Sequence, residues 1–144
     1  MPSAADPPVI EVERVALGYG DRVVLENLDF TVARGDVFAI LGGSGSGKST
    51  LLRALIGLDE PSAGLDPVTS AELDDLIATL NVSLGMTTVI VTHELRSIFA
   101  IVRHCIMLDG RARGIIARGE PATLRDGSVD PQVRAFFNPR ARAA

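Results

Sequence analysis

The sequence predicts one α/β domain, in which an N-terminal antiparallel β layer precedes a mostly parallel sheet flanked by helices. Three observations support this fold class. An apolar run at 37–41 leads through a glycine-rich loop into a segment with apolar residues at helical spacing. A second apolar and β-branched run, at 87–92, follows a long amphipathic segment, as in a strand, helix and strand unit. Residues 9–32 contain short stretches typical of antiparallel strands.

Composition limits the classes of function that need to be considered. The chain has 144 residues, 47% of them hydrophobic, which is enough for one domain with its own core. A net charge of −4 and an aromatic content of 4% provide no basic, aromatic-rich surface, so no nucleic-acid partner is expected. No apolar stretch approaches the ~20 residues of a membrane span, and residues 1–9 lack the features of a signal peptide. We therefore expect a cytoplasmic protein without a membrane span of its own.

The N-terminal region is expected to be a disordered tail, residues 1–8, followed by the β layer. Residues 9–15 alternate apolar and charged side chains, as a half-buried strand does. A turn at 18–21 comes next, and further short strands are predicted at 23–25 and 28–32. Tyr19 lies in the turn, where the residues alone favour an aromatic side chain that packs on the sheet.

The glycine-rich loop is the most informative part of the chain. Residues 42–49 read GGSGSGKS and fit the pattern G-x-x-x-x-G-K-[ST]. Glycines let several backbone amides point at phosphate oxygens, and the following helix adds the positive end of its dipole. Lys48, the only lysine, would supply a charge to the phosphates, and the Ser49 hydroxyl is placed for Mg²⁺. A flexible glycine and serine linker is the alternative, but it would not explain the apolar segments on both sides.

The second half of the chain is expected to continue the α/β pattern. Asp66 and Pro67 have the types preferred at a helix N-cap and first turn, and the helix should end near Gly85. Its apolar face is predicted to comprise Leu73, Leu76, Ile77, Leu80 and Leu84. His93 follows the 87–92 strand, whose carboxyl end should share one edge of the sheet with the loop.

The rest of the chain completes the predicted sheet and covers it. The expected elements are a helix through Leu95, Ile98, Phe99 and Val102, strands at 105–108 and 114–117, and two proline-started helices within 120–138. The second of these helices should carry Val133, Phe136 and Phe137 on one side. Cys105, the only cysteine, lies in an apolar run and is expected to be a buried, inert thiol. His104 matches no motif.

At this point the motifs resemble those of an ABC transporter ATPase over nearly the whole chain. Residues 59–67, DEPSAGLDP, resemble the Walker B motif and D-loop of that family. Residues 17–20 resemble its aromatic A-loop, 42–50 its Walker A motif, and 89–94 its H-loop. The tail at 130–138 resembles that of the Mla-type subfamily, which moves phospholipids between bacterial membranes and has been linked to solvent tolerance.

The resemblance implies a role for each matching residue, with ATP and Mg²⁺ as the bound groups. Tyr19 would stack on adenine, and the ATP phosphates would be bound by Gly42, Gly43, Ser44, Gly45, Ser46, Gly47, Lys48, Ser49 and Thr50. Ser49 and Asp59 would hold Mg²⁺, while Glu60 would polarise the attacking water and His93 would contact the γ-phosphate. The D-loop would comprise Ser62, Ala63, Gly64, Leu65 and Asp66. The implied partners are a membrane permease subunit and a second ATPase subunit, on the cytoplasmic face of the inner membrane.

One departure from the family pattern lies between the Walker A and Walker B motifs. The sequence has no Q-loop glutamine, helical subdomain, LSGGQ-like signature or separate Walker B strand there, and the only glutamine is Gln132. We therefore hypothesise an internal deletion, which leaves 1–144 as one incomplete nucleotide-binding domain. If residues 48–56 form a helix, at 1.5 Å per residue, Asp59 is carried roughly 15 Å from the loop.

Three functions remain open on the sequence alone. The first is an ATP-hydrolysing subunit of a transporter, and the second is a nucleotide-binding remnant without turnover. The third is a small-molecule kinase with a phosphate-binding loop, which is disfavoured because no acceptor site or basic lid is evident. The division expected within the domain is a β layer with the loop and its helix at 9–58, the D-loop, H-loop and later strands at 59–119, and a helical tail at 120–144.

Overall fold

The computed structural model describes residues 7–56 and 70–139. In chain order the strands are β1 (Ile10–Tyr19), β2 (Arg22–Val32), β3 (Val37–Gly42), β4 (Thr88–Val91), β5 (His104–Asp109) and β6 (Gly114–Gly119). The helices are α1 (Lys48–Ile56), α2 (Ser70–Leu84), α3 (Leu95–Ile101), α4 (Pro121–Gly127) and α5 (Pro131–Phe137). These elements confirm the predicted α/β fold class.

The N-terminal layer is an antiparallel hairpin of β1 and β2, and it corrects two predicted boundaries. The first strand extends to Tyr19 rather than ending at residue 15, and 23–25 and 28–32 belong to one continuous strand. The interruption predicted between them is an irregularity within the ladder, where Asn27 adopts a φ of 53°. Asparagine tolerates this left-handed conformation better than most residues, so the ladder resumes on both sides.

The second layer is a four-stranded sheet in the order β4-β3-β5-β6. β3 pairs in parallel with both β4 and β5, while β6 runs antiparallel to β5. The loop after β3 and the residues after β4 and β5 therefore lie at the same edge of the sheet. This arrangement confirms the mostly parallel sheet predicted from the apolar runs.

Each face of the central sheet has its own hydrophobic core, because side chains alternate along the strands. One face packs against the hairpin and α1, through Phe38 and Ile40 of β3 and the buried Leu25 of β2. The opposite face, with Ala39 and Leu41, packs against α3 and α5. All six residues of β3 are buried, as expected for a strand covered on both faces.

The helix before β4 differs from its predicted orientation. Leu76 and Leu84, which were expected in the apolar face, are exposed, whereas Ile77 packs on the core and Asn81 is buried. The side-chain amide of Asn81 donates to the backbone carbonyls of Gly35 and Met86, at 2.8 and 2.7 Å. These two hydrogen bonds hold Asn81 in the interior, so the helix is rotated about its axis relative to the orientation that its apolar residues predicted. The predicted stop is confirmed, since Gly85 has a φ of 65° and its amide donates to the carbonyl of Asn81.

The predicted start of that helix, at Asp66 and Pro67, lies outside the described residues, as does the side chain of Leu73. Two proline-started helices follow β6, as predicted. In α5 the Asp130 carboxylate accepts from the amides of Gln132 and Val133, at 2.8 and 3.4 Å, which caps the helix. Val133 and Phe137 are buried and Phe136 packs beside them, so the predicted apolar side of α5 is confirmed.

The Cys105 thiol lies in the same core and is buried, as predicted. Burial raises the pKa of this thiol to about 12, because an apolar environment disfavours the thiolate.

Candidate nucleotide-binding site

The loop between β3 and α1 has a backbone that requires glycine at defined positions. Gly42, Gly45 and Gly47 have φ values of 148°, 79° and 99°, a range that other residues rarely adopt. A Cβ at Gly47 would lie 2.9–3.0 Å from three side-chain carbons of the buried Leu25. A Cβ at Gly42 would lie 2.6 Å from the carbonyl oxygen of Leu108 and from the Ser46 hydroxyl. The hairpin and β5 therefore hold the loop closely at both ends.

Helix α1 begins directly from this loop. The backbone amide of Leu51 donates to the carbonyl of Gly47 at 3.0 Å, and the backbone amide of Ser46 donates to the carbonyl of Gly43 at 3.3 Å. Leu51 is fully buried in the core beneath the hairpin, so the apolar side of α1 anchors the helix. The helix N-terminus consequently points its dipole at the loop, as anion binding requires.

Lys48 folds back over the loop. Its Nζ donates to the carbonyls of Gly42 and Gly43, at 2.6 and 3.0 Å. Partial burial lowers the pKa of this ammonium from its usual value, because desolvation disfavours the charged form. Gly43, Ser44 and Gly45 are exposed beside it. The only lysine of the chain is thus placed at the rim of the loop, where it could exchange carbonyl partners for phosphate oxygens.

A cleft of about 730 Å³ lies next to the loop, within the size range of small-molecule sites. Its lining residues come from the hairpin, the loop and the turn after β5: Tyr19, Asp21, Arg22, Val23, Val24, Gly45, Gly110 and Arg113. Tyr19 and Gly45 were predicted site residues, whereas Arg22 and Arg113 were not. No local pattern marks Arg113, because it reaches the cleft only through the fold of the β5–β6 hairpin.

Tyr19 contacts α1 rather than only the sheet. Its hydroxyl lies 3.1 Å from the Thr50 Oγ1 and accepts a hydrogen bond from Arg53 Nη1 at 3.4 Å. The side chain remains 55% exposed, so most of it faces solvent at the cleft. Tyr19 therefore does not mainly pack on the sheet, contrary to what the residues alone predicted. Its exposed position beside the cleft is compatible with stacking on adenine, the role that the A-loop resemblance implies.

His93 lies two residues beyond the end of β4, in a turn where the Thr92 hydroxyl accepts from the amide of Glu94 at 3.1 Å. Since β3 and β4 are parallel, the position of His93 is at the edge of the sheet that carries the loop. The His93 side chain is exposed. The strand-end position expected for this residue is confirmed, and its role at a phosphate stays a prediction.

The residues expected to hold Mg²⁺ are described only in part. Ser49 is exposed in the first turn of α1, as a hydroxyl ligand beside a bound phosphate would need to be. Asp59 and Glu60 lie outside the described residues, and so do the D-loop residues Ser62, Ala63, Gly64, Leu65 and Asp66. The distance expected between Asp59 and the loop assumed that residues 48–56 form a helix. Helix α1 has these bounds.

A second cavity, of about 940 Å³, opens at the opposite end of the sheet from the loop. Its polar lining includes Asp36, which is buried and lies 2.9 Å from Nδ1 of His104. Arg103 donates to the side-chain oxygen of Asn81 at 2.9 Å in the same region. His104 therefore has a structural partner that its sequence context did not reveal.

Comparison with known proteins connects this geometry to a family. The family described as ABC transporter matches residues 25–104, which include β3, the loop, α1 and β4. The chain belongs to the ABC transporter family. A structural comparison gives a TM-score of 0.63 at 15% identity with a metal-chelate type ABC transporter solved in an inward-facing conformation, covering 88% of this chain and 87% of that one. That likeness supports the fold of the ABC chain described above.

Sequence relatives of this ABC chain include transport proteins with different substrates. The mycobactin import ATP-binding/permease protein IrtB of Mycolicibacterium thermoresistibile is 34% identical over 117 residues, 79% of this chain and 17% of the relative. The Nod factor export ATP-binding protein I of Rhizobium leguminosarum bv. viciae is 34% identical over 88 residues, 60% of this chain and 28% of the relative. This chain therefore spans less than a third of the length of either relative. Across 7–56 and 70–139, no helix is long and apolar enough to cross a membrane.

Proposed function

We propose that this chain is an ATP-binding subunit of an ABC transporter, which binds ATP through the loop at 42–50. The observation that carries the proposal is the loop itself, with glycines at positive φ, the N-terminus of α1 beneath it and Lys48 at its rim. The adjacent cleft is large enough for a base and ribose. Among the described residues that line the cleft, Tyr19 is the only aromatic one, and stacking of a base on an aromatic ring contributes about 1–3 kcal/mol.

Each residue in this proposal acts through an ordinary physical effect. The loop amides and the helix dipole bind the phosphates, and Lys48 gives up its carbonyl partners to neutralise their charge. Ser49, with Asp59, would hold a Mg²⁺ ion, which neutralises phosphate charge when it is bound. Glu60 would polarise the attacking water and His93 would contact the terminal phosphate from the end of β4.

A second candidate is nucleotide binding without turnover, and the extent of α1 favours it. The helix continues from Lys48 to Ile56, so its last residue is displaced by roughly 10 Å from Ser49 along the axis. Asp59 and Glu60 follow three and four residues later, in the place where an internal deletion would have joined two similar passages. A small-molecule kinase is the third candidate, and no described feature supplies its acceptor site.

One experiment separates the three candidates. The purified chain is assayed for ATP binding and for Mg²⁺-dependent phosphate release, alone and as Glu60→Gln and Lys48→Ala variants. Sustained hydrolysis that is lost in Glu60→Gln would establish the ATPase and refute the remnant. Binding that is lost in Lys48→Ala, without any turnover, would establish the remnant, and phosphorylation of a small acceptor would indicate the kinase. Absence of Lys48-dependent binding would overturn the proposal altogether.

The transported substrate is proposed to be a phospholipid, as in Mla-type transporters, because of the tail at 130–138. The distinctive part of that tail is α5, whose Asp130 cap and paired phenylalanines fix it on the core. The expected partners are a membrane permease and a second ATPase subunit at the cytoplasmic membrane surface. Co-purification of the tagged chain from its host, followed by lipid analysis of the captured permease, tests this assignment. Capture with a permease for a soluble substrate would refute it.

A further inference from the structure

Tyr19, which lines the cleft, is hydrogen-bonded to two residues of α1, Thr50 and Arg53, and the proposed function gives Arg53 no role. Tyr19 ends β1 at the tip of the hairpin, where Gly20 turns the chain with a φ of 55°. Thr50 and Arg53 are three positions apart in α1 and therefore share one side of the helix. Their side chains meet at the Tyr19 hydroxyl, at 3.1 and 3.4 Å.

The chemistry of the contact gives it a direction. A guanidinium can only donate, so the Tyr19 oxygen accepts from Arg53, and the phenolic hydrogen is free to be donated to Thr50. Two contacts from one helix to a single atom restrict rotation of a side chain that is otherwise 55% exposed. An aromatic ring held in this way does not lose its rotational freedom again when a base stacks on it.

We propose that Arg53 is a positioning residue for Tyr19, and that with Thr50 it fixes the phenol ring as the base-stacking wall of the cleft. The inference rests on the proposed nucleotide binding and adds to it a cause of base recognition outside the phosphate loop. The phosphates are bound by the loop, whereas the fixed ring contributes only to ligands that carry a base. Loss of Arg53 therefore weakens ATP binding and leaves binding of a bare polyphosphate unchanged.

The chain provides its own reporter for this test. Tyr19 is the only tyrosine and there is no tryptophan, so intrinsic tyrosine fluorescence reports on this ring alone. The variant Arg53→Met removes the donor and keeps an unbranched apolar side chain, while Arg53→Lys keeps a donor. Arg134→Met is the matched control, since Arg134 is also the arginine of the last turn in a short helix. Thermal unfolding of all three variants shows whether any change in binding reflects stability.

The measurement compares ATP with Mg²⁺-tripolyphosphate, which has no base. For Arg53→Met we expect ATP affinity to fall about 3- to 10-fold, as the loss of one hydrogen bond predicts, with tripolyphosphate affinity unchanged. Collisional quenching of the Tyr19 fluorescence in the ligand-free protein should increase, and Arg53→Lys should restore part of both properties. In competition with a labelled ATP analogue, Arg53→Met should add no further loss to Tyr19→Phe, because both changes remove the same contact.

The possible outcomes are distinguishable. Equal losses for ATP and tripolyphosphate, or effects of Arg53→Met and Tyr19→Phe that add fully, would overturn the positioning role while leaving nucleotide binding in place. Unchanged quenching in Arg53→Met would overturn it as well. If the unmodified chain binds neither ligand, or binds both independently of Lys48, the proposed function fails and the inference fails with it.

Discussion

Alanine substitutions at three glycines of the loop should have graded effects on stability. At Gly43 an alanine meets nothing within 4 Å, so we expect a change within about 0.5 kcal/mol. At Gly45 there is also open space, but the φ of 79° penalises a side chain by about 1–2 kcal/mol. At Gly47 the φ of 99° is combined with contacts of 2.9–3.0 Å to the buried Leu25. Overpacking adds about 1–3 kcal/mol, so Gly47→Ala should cost roughly 2–5 kcal/mol.

The assay is urea unfolding of the three variants beside the unmodified chain, followed by circular dichroism. The expected order of destabilisation is Gly47→Ala, then Gly45→Ala, then Gly43→Ala. A loss of 2–5 kcal/mol is a large part of the 5–15 kcal/mol typical of folded domains, so Gly47→Ala should unfold at much lower urea concentration. Equal stability of Gly43→Ala and Gly47→Ala would refute the argument, because the two sites differ in both backbone conformation and space. Gly47→Ala combined with Leu25→Val, compared with Leu25→Val alone, separates the contact from the backbone effect.

Two further predictions concern groups away from the loop. Burial raises the pKa of the Cys105 thiol from 9.0 to about 12, so the folded state binds this proton more tightly than the unfolded state does. The resulting contribution to the free energy of unfolding is present below pH 9 and is lost as the pH rises towards 12. Urea titrations should therefore show the unmodified chain losing about 1.4 kcal/mol per pH unit relative to Cys105→Ala in that interval, and a constant difference would contradict the prediction. Asp130→Ala should cost about 1 kcal/mol in thermal or urea unfolding, because α5 loses its cap. Asp126→Ala serves as the control, since the Asp126 carboxylate contacts only its exposed neighbour Arg125 among the described bonds, and a similar loss there would argue against capping.

The parts of the fold that could be predicted are those governed by short-range pattern. The loop, β3 and α5 follow from glycine spacing, apolar runs and a proline after a capping aspartate, each within a few residues. Helix α2 could not be oriented correctly, because its leucines and isoleucine indicate one face while Asn81 is drawn inward by the carbonyls of Gly35 and Met86. Those carbonyls come from two different loops, and only the folded chain brings them together.

The candidate site also contains residues that short-range pattern predicts and residues that it does not. Lys48 and the glycines were predictable because the motif carries its own geometry. Arg53 was not, because its partner Tyr19 lies in a different layer and the contact depends on how the hairpin tip approaches α1. Arg113 was missed for a similar reason, because it reaches the cleft from the turn between β5 and β6. In general, residues that act through a contact between layers leave no mark in the local sequence.

The central position of β3 also has a consequence for the order in which the protein can form. The strand that carries the loop pairs with nothing near it in sequence: Val37 pairs with Thr88, and Phe38 pairs with His104. During synthesis both edges of β3 therefore remain without their final partners until β4 and β5 have been made. The phosphate loop precedes β4 and β5 in the chain, so it gains these supporting strands only after residues 88–109 have been translated. A ligand that binds the assembled loop would consequently stabilise the late, long-range strand pairing rather than the early hairpin.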